Sequence, residues 1–204
     1  MTDPESYYRI PIVFEQGKHG ERAYDIYSWL AKKGQIFING ILTTEMADCV
    51  SAQLLAASEK AADKIELLID SPGGNVRALF TLMDAIDMFT EKTDIKIATS
   101  CIGMAGSAAA ILLLYGSPGY RSATRRSTIM LHDMSFGFGA IGSSKDVSRQ
   151  YDEAQRLRQE LRTTLLNRTN ITEEDIENYL DRDEYIDVYM GKQLGLIDEI
   201  KESF

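Results

Sequence analysis

The stretch Lys64 to Val76, KIELLIDSPGGNV, decides between a sheet wet on one face and a sheet covered on both. Its first seven residues form a short apolar run without the alternation that a half-exposed strand shows, which is the pattern of a strand buried on both faces. Ser71-Pro72-Gly73-Gly74 breaks that run. From Val76 the period changes, because Val76, Leu79, Phe80, Met83 and Ile86 fall on one side of a helix. A buried strand, a glycine turn and an amphipathic helix are consecutive parts of a βαβ unit.

Working outward, the same order repeats. Upstream, Gln35 to Gly40 reads as a strand, followed by a helix that opens on a Thr cap and carries Met46, Val50 and Leu54 at four-residue spacing. Downstream, Ile95 to Ile102 (IKIATSCI) reads as a strand, CIGMAGSAAAILLLY (Cys101 to Tyr115) supplies the next helix, and Ser127 to His132 the next strand. This alternation predicts an α/β fold with a largely parallel sheet. After His132 a Gly-rich segment with interleaved aromatics, Ser135 to Ser144, leads into a long helix from Ser144 to Asn167. Its side is marked by Val147, Tyr151, Ala154, Leu157, Leu161 and Leu165. Thr172 and Asp175 form a capping-box pattern for a short helix, with Ile171 and Ile176 placed as a staple. A last helix begins at Asp187 and stops at Gly195 in the C′ position.

No repeat or linker divides the 204 residues, and 44% hydrophobic content suffices for one sizeable core, so a single domain is expected. The formal net charge of −9 argues against nucleic acid as a partner, since phosphate binding needs clustered Lys and Arg. Cys49 and Cys101 lie in apolar surroundings with neither disulfide nor zinc spacing, which points to a reducing compartment and no metal. The start, MTDPESYY, lacks the basic and apolar regions of a secretory signal, and the longest apolar run, Ala108 to Tyr115, is too short to span a bilayer. A cytoplasmic protein with no membrane partner is expected.

Within CIGMAGSAAAILLLY, Ser107 is the one aliphatic hydroxyl, set among small and apolar neighbours. Such residues let helices pack closely, and a nucleophile at a helix start has the same look; that second role requires a base, an acid and an oxyanion site elsewhere. The chain has two histidines. His19, in the polar segment EQGKHGER, reads as a solvent-exposed loop residue, whereas His132 ends an apolar strand, where α/β sheets present catalytic groups. For the acid, Asp181, Asp183 and Asp187 are open, with Asp187 better explained as an N-cap. DSPGGN (Asp70 to Asn75) places the amides of Gly73 and Gly74 at a helix N-terminus, where negative charge is favoured. A phosphate cradle would need Lys and Ser or Thr next, and Asn75, Val76 and Arg77 do not match.

FEQGKHGERAYDIYSWL, LLIDSPGGNV, IGMAGSAA, TIMLHD and LDRDEYIDVYMGKQLGLIDEI stand in this order, and together they resemble the ClpP family, the proteolytic subunits of the ATP-dependent Clp protease, over essentially the whole chain. The resemblance implies a crotonase-like fold of stacked βαβ units, one serine peptidase domain over 1–204, an N-terminal gating segment over 1–20 and a strand-helix handle over 133–168. It implies Ser107 as nucleophile, His132 as general base and Asp183 as the orienting acid, the last because the family's acid-Arg-Asp pattern falls on Asp181-Arg182-Asp183. It implies backbone amides of Gly74 and Ala108 as the oxyanion hole and Arg182 in contacts between rings. It further implies a homo-oligomer of two stacked heptameric rings, no cofactor, and unfolded polypeptides supplied by a Clp-type AAA+ ATPase unfoldase. The Gly-rich Phe136 to Gly142 segment would be an edge strand that aligns substrate.

The chain departs from the family in its residues and its spacing: Ala108-Ala109 stands where Met-Gly usually follows the serine, Asp133-Met134 where Gln-Pro usually follows the histidine, and the stretch from Gly74 to Ser107 and the entry to the handle are longer than usual. This marks a divergent member. The order Ser, His, Asp and the absence of a Gly-x-Ser-x-Gly elbow disfavour an α/β-hydrolase. The competing functions are an inactive structural subunit of such a barrel, and a crotonase-fold enzyme of acyl-CoA thioesters whose SPGG amides would hold an enolate.

Overall fold

The computed structural model describes residues 10–18, 20–57, 64–133 and 143–202. Strands β1 (Ile12–Gly17) and β2 (Gly20–Asp25) form a separate antiparallel pair, from which Asp25 caps helix α1 (Ile26–Lys32) by accepting from the Ser28 amide. Then come β3 (Gln35–Asn39), α2 (Thr44–Ala57), β4 (Lys64–Ser71), α3 (Val76–Lys92), β5 (Lys96–Gly106) and α4 (Ala108–Leu114). After these follow β6 (Arg121–Thr124), β7 (Thr128–Leu131), α5 (Ser144–Arg168), α6 (Ile176–Leu180), β8 (Glu184–Asp187), α7 (Val188–Gln193) and β9 (Glu199–Lys201). The fold is mixed α/β. Its seven-stranded sheet runs β3-β4-β5-β6-β9, with β7 branching from β5 and β8 pairing with β7. Every pairing in that sheet is parallel except β7 with β8.

The period change at Val76 is realised as expected. Ile65 to Ile69 are all buried, and Leu79, Leu82 and Ile86 of α3 pack into the same core. Asn75 caps α3, its side chain accepting from the amides of Arg77 and Ala78. The Gly195 stop also stands, with φ +73 after the end of α7. At Thr172 the chain differs from expectation: Thr172 and Asp175 exchange the capping contacts, but the first turn is not α-helical and α6 starts at Ile176.

The larger difference is β5. The sequence reads as a strand ending at Ile102, with a helix supplied by the stretch from Cys101, whereas the strand continues to Gly106 and the helix begins at Ala108. Two neighbours hold this extension. The Asp70 carboxylate accepts from the Met104 amide at 3.0 Å, and a Cβ on Gly103 would sit 2.4 Å from that carboxylate oxygen. Beyond a register shift between Ile69 and Ser71, Met104 to Gly106 pair with Thr128 to Met130 of β7. The first half of β5 pairs instead with β6. One long strand therefore feeds two branches of the sheet.

A buried polar cluster fastens the β6-β9 branch. The Lys201 ammonium donates to Glu66 Oε1 at 2.6 Å and to Ser100 Oγ at 3.0 Å, and Ser100 also donates to Glu66. Burial acts to raise the Glu66 pKa, but the Lys201 and Ser100 hydrogen bonds outweigh it and hold the carboxyl below its ordinary value. A depressed carboxylate stabilises the fold above its unfolded pKa, and that contribution disappears as pH falls through the folded value. Lys201→Ala should therefore lower stability by about 2 kcal/mol at pH 7, since it leaves a largely buried carboxylate unpaired. The loss should shrink as pH is lowered below the ordinary carboxylate range, because without Lys201 the carboxyl regains its proton more readily; urea unfolding at pH 7 and at acid pH measures it, and an equal loss at both would contradict this account of the pair. Among the described residues no helix is long and apolar enough to cross a membrane.

Candidate active site

Ser107 closes β5 and opens α4, and its backbone sits at φ +52, ψ −123, the only positive φ on a non-glycine residue among those described. The sheet imposes this. The Ser107 amide donates to the Met130 carbonyl of β7 at 2.8 Å while its own carbonyl accepts from Ala110, so strand and helix meet at one residue. Such a conformation costs on the order of 1–3 kcal/mol and persists where the surroundings over-determine it. A serine at a helix start ordinarily caps the helix with its side chain, and this one does not. Its hydroxyl instead donates to His132 Nε2 at 2.7 Å.

His132 follows β7 directly. The antiparallel register pairs Thr128 with Asp187 and Leu131 with Glu184, so one further step places Asp183 opposite His132. His132 Nδ1–H donates to Asp183 Oδ1 at 3.0 Å. Asp181, two residues earlier, lies off that step, and Asp187 caps α7 by accepting from the amides of Tyr189 and Met190. Three adjacent strand ends thus bring Ser107, His132 and Asp183 together. Arg182 projects into solvent, 80% exposed, with Glu184 at 3.6 Å. His19, the Phe136 to Gly142 segment, Met134 and the first nine residues lie outside the described residues.

The SPGG turn passes against this serine. Gly73 has φ +96, and a Cβ there would lie 2.6 Å from the Gly106 carbonyl, 2.8 Å from Ser107 Cβ and 3.0 Å from the Ala108 amide. Leu42 pins the turn, donating to the Gly73 carbonyl and accepting from the Asn75 amide, both at 2.9 Å. Of the two glycine amides expected to face outward, that of Gly73 donates to Ser71 Oγ at 3.1 Å and is already engaged. The amides of Gly74 and Ala108 meet no protein acceptor among the described residues. Gly73 therefore serves by its missing side chain, a use the doubled glycine of SPGG signals without explaining.

An apolar pocket opens beside Ser107 and His132, walled by Val76, Ile111, Leu131, Leu161 and Leu165, with Asp133, Arg158 and Arg162 also lining it. The Asp133 carboxylate accepts from Arg158 Nε at 2.9 Å, and Arg158 Nη2 lies 2.6 Å from its other oxygen. Sequence reasoning missed this pair, whose members stand 25 positions apart. No group of His, Cys, Asp and Glu among the described residues could hold a metal ion. A hydroxyl bonded to an imidazole whose far nitrogen is fixed by a carboxylate can lose its proton as the oxygen attacks an acyl carbon. Residues 18–204 match the family model described as Clp protease.

Proposed function

The chain belongs to the Clp protease family, and from that premise we propose that it is a serine endopeptidase of a self-compartmentalised barrel, cutting unfolded polypeptides to short peptides. The observation that supports this best is the hydrogen-bonded chain from Ser107 Oγ through His132 to Asp183 Oδ1. In this reading Ser107 Oγ attacks the scissile carbonyl and His132 Nε2 takes its proton. The oxyanion forms against the amides of Gly74 and Ala108, at the start of α4. His132 then gives the proton to the leaving amine, and a water molecule repeats the sequence on the acyl-enzyme. Asp183 holds the imidazole tautomer. An acyl-CoA enzyme would leave the Ser107–His132 hydrogen bond without a task.

The same reading makes 1–204 one peptidase domain, residues 1–20 the gate, 133–168 the handle and Arg182 a ring-contact residue. Two stacked heptameric rings would enclose Ser107, with a Clp-type AAA+ ATPase feeding the chamber and no cofactor required. Entry rather than chemistry then limits folded substrates. Short fluorogenic peptides should be hydrolysed by the protein alone, and a stably folded protein only with the unfoldase and ATP. Rapid degradation of the folded protein without the ATPase would overturn the chamber.

Asp183→Asn should lower kcat by about 10^4-fold, because the amide stabilises the wrong imidazole tautomer, whereas Asp181→Asn should stay within a few-fold of the parent. Steady-state kinetics of both variants measure this. The reverse order of damage would move the orienting acid by two residues.

A further inference from the structure

We propose that Asp133 sets the side-chain preference of the pocket beside Ser107, by neutralising Arg158 so that the pocket accepts uncharged residues before the cut. This rests on the peptidase reading above. The pocket has apolar walls, yet two guanidinium groups line it. An uncompensated arginine beside apolar walls would draw a substrate carboxylate, and at 37% and 36% exposure the Arg158 and Asp133 side chains are only partly screened by water. Both arginines are instead occupied by the protein's own carboxylates. Arg162, with only 18% of its side chain exposed, is met by Glu177 and Glu173 from the segment ahead of β8. Arg158 is held by Asp133 in a two-pronged pair, the geometry that matches a guanidinium best.

The positions of the two pairs differ in consequence. Glu173 and Glu177 stand 69% and 60% exposed, on the outer side of Arg162. Asp133 lines the pocket itself and adjoins His132, and its amide donates to the Leu180 carbonyl at 2.9 Å, which fixes the backbone from which the carboxylate reaches Arg158. The charge that decides between an apolar and an acidic substrate residue is therefore on the residue next to the base. Asp133 acts on selection and needs no part in bond breaking.

The test uses the full chain and four peptides that differ only in the residue before the cut: Leu, Gln, Glu or Lys. The parent should cleave the Leu peptide at least about 100-fold better than the Glu peptide by kcat/KM. In Asp133→Asn, Arg158 is released and the Glu-to-Leu ratio should rise about tenfold or more, mainly through KM, with the gain fading as salt is raised. Adding Arg158→Gln to that variant should return the ratio to the parent value. Arg158→Gln alone takes the positive charge out of the pocket while the Asp133 carboxylate stays, so the Lys-to-Leu ratio should rise instead, which keeps the test standing if Asp133→Asn fails to fold. Ratios unchanged within twofold in variants that still react with a fluorophosphonate would overturn the inference while leaving the peptidase reading intact. A parent chain inert to all four peptides and to the fluorophosphonate would overturn the peptidase reading, and this inference with it.

Discussion

Ser107→Ala should reduce peptide hydrolysis by at least about 10^4-fold while leaving the fold and assembly in place. The substitution removes one oxygen from a residue whose backbone is already held by β7 and α4, and its Cβ remains within the small-residue packing against Gly73. Among the described residues the lost oxygen caps nothing and makes one hydrogen bond, to His132. Stability should therefore change by no more than about 1 kcal/mol, the usual net worth of one such bond. His132→Ala should cost activity to a similar degree, and the double variant should be no worse than either single one, because groups that act as one unit do not have additive losses. Residual turnover near the parent rate in Ser107→Ala, or a double variant slower by a further large factor, would remove the serine from the reaction.

Gly73→Ala should lower kcat by about 100-fold or more and destabilise the fold by about 2–4 kcal/mol. The added methyl would press on the Gly106 carbonyl, Ser107 Cβ and the Ala108 amide, at 2.6, 2.8 and 3.0 Å. Those are backbone atoms and a Cβ, which cannot swing aside, and φ +96 is itself unfavourable for a side chain. Relief must come from moving the turn, the serine or the Ala108 amide beside it. Gly119→Ala supplies the comparison, since Gly119 has φ +83 with nothing within 4 Å of the new methyl. That variant should lose about 1 kcal/mol and keep its kcat. Equal kinetic behaviour of the two variants, measured by steady-state hydrolysis beside urea unfolding, would mean that the contact at Ser107 does not position the site.

The sequence made visible what periodicity can encode. KIELLID and the stripe from Val76 are long enough for the change of period to register, and they are a strand and a helix here. Cys101 to Gly106 has no period, because Gly, Ala and Met fit strand and helix alike; Asp70 and β7 decide its conformation, and both come from elsewhere in the chain. β6 and β9 have four and three residues, too few for alternation to be read. The β1-β2 hairpin escaped because its strands are exposed on most positions, and IVFEQG follows no apolar alternation.

Ser107 and His132 stood out by isolation, a hydroxyl among small residues and a histidine at a strand end. Asp183 did not. Without the family pattern it was one of several nearby carboxylates, and what sets it beside His132 is the β7-β8 register. The inactive role of the Gly73 amide and the Asp133–Arg158 pair depend on contacts that one sequence does not display.

Treatment with a fluorophosphonate, followed by digestion and mass spectrometry, asks directly whether Ser107 is an activated nucleophile. A hydroxyl that donates to His132 Nε2 while Asp183 holds Nδ1 should be modified in minutes, at one adduct per chain, on the peptide containing Ser107. The adduct should be absent from Ser107→Ala and strongly slowed in His132→Ala. A folded parent chain that takes up no label, or one labelled equally well after Ser107→Ala, would contradict the assignment of this serine as the catalytic nucleophile.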